Sequence, residues 1–238
     1  MAENTKIEWT DHSFNPWIGC SKVSPGCAHC YAEAINTRMK WAEWKAGGKR
    51  FRNSERYRRR PYQWNLRAAV KRERVFCASM ADWLDPDTPP EWRTDLIDLI
   101  SKTPNLDWLL LTKRIERFFD FEIELPKNVW LGVTAENQET WNQRLPVLLS
   151  IPATVHFVSA EPLLGQIKMG EFRPDWLIAG GESGPGARPM ESAWIKNLRD
   201  ECDARTVFFF KQWGGKNKKL AGRELDGRTY SAIPKPKN

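Results

Sequence analysis

Residues 129–137 read VWLGVTAEN, an unbroken apolar run from Val129 to Val133 that stops at once in Thr134, Glu136 and Asn137. A run this short and this apolar suits a strand buried on both faces, as in a parallel sheet covered by helices. The same order recurs along the chain. Trp108–Leu111 ends in Thr112, Lys113 and Arg114; Val75–Ser79 precedes Asp82; Val155–Ser159 precedes Glu161; Trp176–Ala179 precedes Gly180, Gly181 and Glu182; and Val207–Phe210 precedes Lys211 and Gln212. With Asn15–Gly19 as the first run, seven strands are expected. Segments of helical spacing fall between them, over about 28–44, 91–101, 139–149 and 192–203, and Pro89–Pro90 marks the start of the second. Such repeated β/α units predict an α/β fold, a complete or partial TIM-type (β/α) barrel, with a doubly wound open sheet as the alternative. In a barrel, polar residues at the carboxyl ends of the strands line the active site.

The chain has 238 residues, enough for one large domain with a substantial core. That domain is expected over 1–213, with a basic insertion at about 49–74. Residues 214–238, rich in Gly, Lys and Pro, read as an irregular basic tail. Charged residues make up 28%, but 12% aromatics with 13 tryptophans argue for a globular rather than a disordered protein. No apolar run approaches the roughly 20 residues that cross a bilayer, so no membrane association is expected. The N-terminus lacks a basic-then-apolar leader pattern, which predicts a cytoplasmic location where thiols stay reduced. Five cysteines in that setting read as metal ligands or buried thiols, not as a disulfide framework.

Three of them crowd into GCSKVSPGCAHCY as C-x6-C-x2-C: Cys20, Cys27 and Cys30. The Pro25–Gly26 turn folds the loop back, and the x2 spacing brings two soft sulfur donors together. Three thiolates on a four-iron cubane leave one iron open for a small molecule. A structural zinc site would need a fourth ligand, for which His29 or His12 could serve. No second CxxC occurs. Cys77 and Cys202 alternate with core positions and read as buried thiols.

The stretches FNPWIGCSKVSPGCAHCYAE, LLLTKRIER, NVWLGVTAEN, VSAEPLLG, WLIAGGESGPGARPM and FFFKQWGG resemble the phage-type three-cysteine-motif proteins, a radical-SAM-like family of phages and bacteria, over residues 9–215. The resemblance implies a barrel core and a [4Fe–4S] cluster on Cys20, Cys27 and Cys30. It also implies S-adenosylmethionine, split reductively with the help of an external electron donor into methionine and a 5′-deoxyadenosyl radical that takes a hydrogen from substrate. The commonest motif of such enzymes is C-x3-C-x2-C with an aromatic before the last cysteine; this chain has x6 spacing and His29 there.

Within that frame the strand-end residues take roles by their chemistry. Gly180 and Gly181 permit close backbone approach to an adenosyl or carboxylate group, or else form a tight turn. Glu161 and Glu182 could accept hydrogen bonds from ribose hydroxyls or an ammonium. Lys113 and Lys211 could neutralise a carboxylate or phosphate, and Arg188 could clamp one in two-pronged fashion. Ser79, Asp82, Glu136 and Asn137 extend the ring, although Asp82 and Asn137 equally suit capping positions.

Residues 49–74 hold eleven Lys or Arg against two Glu, a local net charge of +9 that leaves the rest of the chain at about −2. Interleaved with Phe51, Tyr57, Tyr62 and Trp64, this segment suits a nucleic-acid backbone with bases to stack, DNA being favoured, and Arg58, Arg59 and Arg60 are its densest point. The resulting expectation is a radical SAM enzyme acting on nucleic acid, most specifically an isomerase of amino-acid-modified thymine in phage DNA, within an infected or bacterial cell. The alternatives are a radical SAM enzyme on a peptide or small molecule, and a zinc-bearing nucleic-acid-binding protein.

Overall fold

In the computed structural model, which describes residues 3–236, the first parallel strand is β1, His12–Phe14, and not the run that follows it. Pro16 has no N–H to extend a ladder. The chain therefore turns away into the two-residue β2, Trp17–Ile18. It runs through the cysteine segment into α1, Tyr31–Met39, and returns as β3, Phe51–Arg52, antiparallel to β2. α1 is shorter than its apolar spacing predicts. Lys40 takes a φ of 53°, and the Asn36 side chain holds both the N–H and the C=O of Ala42, so the chain is locked out of the helix there.

The basic segment forms two short helices, α2, Glu55–Arg58, and α3, Arg60–Arg67, before β4, Glu73–Cys77. The β/α alternation then continues as expected: α4, Pro90–Ser101; β5, Leu106–Thr112; β6, Val129–Thr134; α5, Gln138–Ser150; β7, Val155–Ala160; β8, Trp176–Gly180; α6, Ser192–Glu201; and β9, Val207–Gln212. The C-terminal stretch includes one further short helix, α7, Lys218–Ala221.

Seven strands share one sheet in the order β1-β4-β5-β6-β7-β8-β9, which is the order of the chain itself. A doubly wound sheet reverses its winding at a switch point. This one never does, so the alternative of an open doubly wound sheet is set aside. The order has two ends among the described residues, β1 and β9, so a complete barrel is not formed.

The chain divides within β6 into two compact units. The first comprises the residues up to Val23 together with Ala32–Leu131. Its parallel strands β1, β4 and β5 place Phe14 opposite Cys77 and Val75 opposite Trp108. Phe14 meets Trp108 edge-on at 5.6 Å and Trp64 at 6.2 Å, so the aromatic core ties the basic helices to the sheet. The second unit comprises Ser24–Tyr31 and the chain from Gly132 onward. In it β7, β8 and β9 are parallel, with a register shift at Ala179/Gly180. The ring of Phe157 fills the space over Gly132, where a Cβ would lie 2.3 Å from it. Residues 214–236 are not all irregular: the Tyr230 carbonyl accepts from the Phe210 N–H at 3.0 Å and Ala232 from the Trp176 indole at 3.1 Å. The first of these bonds, with the Phe209–Ser231 bridge, covers the outer edge of β9, which would otherwise be open to pairing.

Candidate metal centre

In the first unit Cys20 sits in a buried, heavily charged pocket of side chains. Arg114, 3% exposed, donates to its sulfur at 3.5 Å, to the Ser21 carbonyl at 2.7 Å, to the Ser21 hydroxyl at 2.9 Å and to Asp82 at 3.0 Å. Asp82 in turn accepts from the Thr112 hydroxyl and from the backbone N–H groups of Leu84 and Lys113. Burial, reinforced by Asp82, pushes the Cys20 thiol up to about 12, with Arg114 opposing the shift. Asp85 is wholly buried, held by Arg50 at 2.6 Å, and its second oxygen has no hydrogen-bond partner. Of the expected site residues on this unit, Ser79 bonds the Asn15 side chain, which also holds the Met80 N–H. Lys113 is half-buried and offers its backbone N–H to Asp82.

In the second unit the segment carrying Cys27 and Cys30 is pinned by strand-end residues. A 3-10 turn, Pro25–Cys27, presents the Gly26 N–H to Glu136 at 3.2 Å, and Arg144 holds the other Glu136 oxygen at 2.9 Å. Arg188 donates to the Pro25 carbonyl at 3.0 Å and grips Glu182 through its backbone N–H, Nε and Nη2. His29, between the two cysteines, meets Glu182 through Nδ1 at 2.9 Å. Burial by itself would raise the Glu182 pKa, but the Arg188 and His29 hydrogen bonds outweigh it and hold the carboxyl at about 2. Glu136, Glu182 and Arg188, expected around a cofactor, thus converge on the cysteine segment itself.

The glycines have a reason within the fold. A Cβ at Gly181 would lie 2.0 Å from the Trp213 carbonyl oxygen, so only glycine fits there. Gly180 is looser, its nearest neighbour being Glu161 Oε2 at 3.2 Å. Glu161 and Lys211 form an ion pair of 2.7 Å beside it, with Ser159 3.5 Å from the same carboxylate. Asn137 caps α5 in a reciprocal capping box with Thr140.

None of the five cysteines is in a disulfide. Three thiols and one histidine are the soft donors an iron–sulfur cluster or a zinc ion takes, so the donor chemistry fits either. Among the described residues no three His, Cys, Asp or Glu side chains are drawn together closely enough to hold a metal ion. His12 is no ligand. It is buried, stacked on Trp64 at 4.4 Å and bonded to Glu73 at 2.8 Å. Cys77 is buried, as expected, with its thiol pKa raised by desolvation; Cys202 donates to the Leu198 carbonyl but is only half-buried, since it lies just past the end of α6.

A family model described as "Protein of unknown function (DUF5131)" matches residues 4–234, nearly the whole chain. The chain belongs to that family. No curated protein and no solved structure matches it. In this DUF5131 member no described helix is long and apolar enough to cross a membrane.

The basic segment is more engaged with the protein than its composition suggests. Arg50 lies buried between Asp85 and Asp87, and Arg52 pairs with Asp95. Arg67, Arg72 and Arg74 pair with Glu3, Asp107 and Asp11. Much of the local +9 therefore meets acids elsewhere in the fold. Arg58 bonds the Asn53 carbonyl, Arg59 pairs with Glu55 in an exposed i,i+4 contact, and Arg60 lies over the Tyr57 ring at 5.3 Å. Sequence pattern does not single out Arg114, Arg144, Arg50 or Asp85. The only signal for Arg114 is its place beside Lys113 at the end of an apolar run.

Proposed function

We propose that Cys20, Cys27 and Cys30 hold a [4Fe–4S] cluster and that the protein is a radical SAM enzyme. What carries the reading is that strand-end charges of each unit are committed to the part of the cysteine segment that unit contains: Arg114, itself held by Asp82, to Cys20 and Ser21, and Glu136, Glu182 and Arg188 to residues 25–29. A βα fold that devotes its functional end to one loop of thiols is built around what those thiols hold. The cluster, fed by an external electron donor, supplies the electron that splits S-adenosylmethionine. Partial barrel topology supports the same reading, since the strands wind in chain order.

Lys113 and Ser79 in the first unit, and the Glu161–Lys211 pair with Gly180 beside it in the second, also stand at strand ends. We assign the polar ends of S-adenosylmethionine and of substrate to them. Arg56, Arg59 and Arg60, all exposed, favour a nucleic-acid substrate. The sequence resemblance makes rearrangement of an amino-acid-modified thymine in phage DNA the most specific form of the proposal.

One observation favours a second reading, a zinc ion on the same thiols. A histidine whose Nδ1 is fixed by a carboxylate presents Nε2 to a metal, and His29 is so held by Glu182. Metal analysis of anaerobically purified protein separates the two. The cluster reading expects brown protein with about four irons per chain; colourless protein with one zinc would establish the second reading instead.

A further inference from the structure

We infer that the first unit carries a nucleobase pocket at the β2–β3 pair and α4, with Tyr62 as its stacking wall. The inference rests on the nucleic-acid part of the proposed function and specifies where a base is held. A cavity of about 340 Å³ opens there, between the basic helices and α4. Buried Phe14, Trp17 and Leu96 are among the residues that line it, together with charged side chains. Two aromatic rings, Tyr62 and Trp92, also line it, and Arg52 lies over Trp92 at 5.3 Å, which leaves Tyr62 as the ring to stack on.

A heteroaromatic base needs apolar or aromatic surface against its faces and both donors and acceptors at its edge. The lining carries both: Arg52 and Arg58 pair with Asp95 there and Asp98 pairs with Lys102, and a base edge would share these groups with their partners. Charges of both signs make it a poor site for a bare phosphate, whereas Arg59, exposed in its lining, and the exposed Arg56 and Arg60 of the same basic segment suit the backbone. Two further apolar side chains, on and after α3, are exposed. Leu66, one helical turn beyond Tyr62 on α3, is 75% exposed, and Val70, past the helix end, is 98% exposed. Single-stranded nucleic acid presents its bases to such a surface without the cost of unstacking a duplex.

The test compares a thymidine 12-mer with an otherwise identical oligonucleotide in which every base is absent, using fluorescence anisotropy at low salt and the full-length protein. The two probes carry the same phosphates, so their difference reports the bases alone. Wild type should bind the thymidine strand roughly tenfold more tightly, the worth of about one stacked base. Tyr62→Ala should collapse that gap, and Tyr62→Phe, which keeps the ring, should retain it. Equal binding of both probes by wild type, or a gap that survives Tyr62→Ala, overturns the pocket while leaving backbone binding intact. Failure of wild type to bind either probe overturns both the pocket and the nucleic-acid substrate.

Discussion

Arg114 donates a hydrogen bond to the sulfur of Cys20 at 3.5 Å while its other N–H groups reach Asp82 and Ser21. One planar guanidinium thus ties the first cysteine to the ends of β4 and β5. Replacing it leaves Asp82 buried without its main partner, and Arg114→Gln should cost about 3–5 kcal/mol in urea unfolding. Arg114→Lys should fall between, since a point charge cannot span all three acceptors. A loss below about 1 kcal/mol for the Gln variant would show that the network does not hold the site.

Glu182 makes the second unit sensitive to acid. Its carboxyl is held at about 2, below the ordinary 4.5. A carboxyl with a lowered folded pKa contributes stability that is complete above about pH 4.5 and is lost as pH falls toward 2. The contribution is at most roughly 3 kcal/mol. The stability difference between wild type and Glu182→Gln should therefore shrink steadily from pH 5 to pH 2.5. A difference that stays constant over that range would mean that Arg188 and His29 do not stabilise the ionised form.

The two adjacent glycines should respond unequally to the same change. Gly181→Ala drives a methyl into the Trp213 carbonyl oxygen, with 2.0 Å between the atoms, whereas Gly180→Ala meets a carboxylate at 3.2 Å that can shift. Thermal unfolding should show Gly181→Ala destabilised by about 3 kcal/mol or more and Gly180→Ala by about 1 kcal/mol. Equal effects would point to a shared role in binding rather than to backbone contact.

The sheet is legible in the sequence because buried parallel strands announce themselves as short apolar runs. WLLL, VWLGV and VFFF all form strands, with boundaries extended by one to three residues. The first strand is the exception: apolarity favours NPWIG, while Pro16 and the Asn15 side chain, bonded to the Met80 N–H, end the ladder one residue earlier. The cysteine loop is visible as a motif. Its anchoring is not, because His29–Glu182 and Gly26–Glu136 join residues 153 and 110 positions apart. The basic segment misleads for the same reason: its acid partners Asp85, Asp95 and Asp107 lie outside it and only folding brings them in.

Charge in that segment can still be read out on DNA. The Arg59–Glu55 pair is exposed on both sides, so breaking it should change stability by under about 1 kcal/mol. Combined replacement of Arg56, Arg59 and Arg60 by Gln should reduce the salt slope of single-stranded DNA binding by about 2, near 0.7 for each phosphate that is no longer neutralised. An unchanged slope would move the DNA-binding surface elsewhere.

The central claim is tested most directly by the product of S-adenosylmethionine cleavage. Iron-reconstituted protein, reduced with dithionite under anaerobic conditions and given S-adenosylmethionine, should form 5′-deoxyadenosine, and a Cys20→Ala, Cys27→Ala, Cys30→Ala variant should form none. Iron-loaded wild type that leaves S-adenosylmethionine intact, or a triple variant that still cleaves it, would contradict the account.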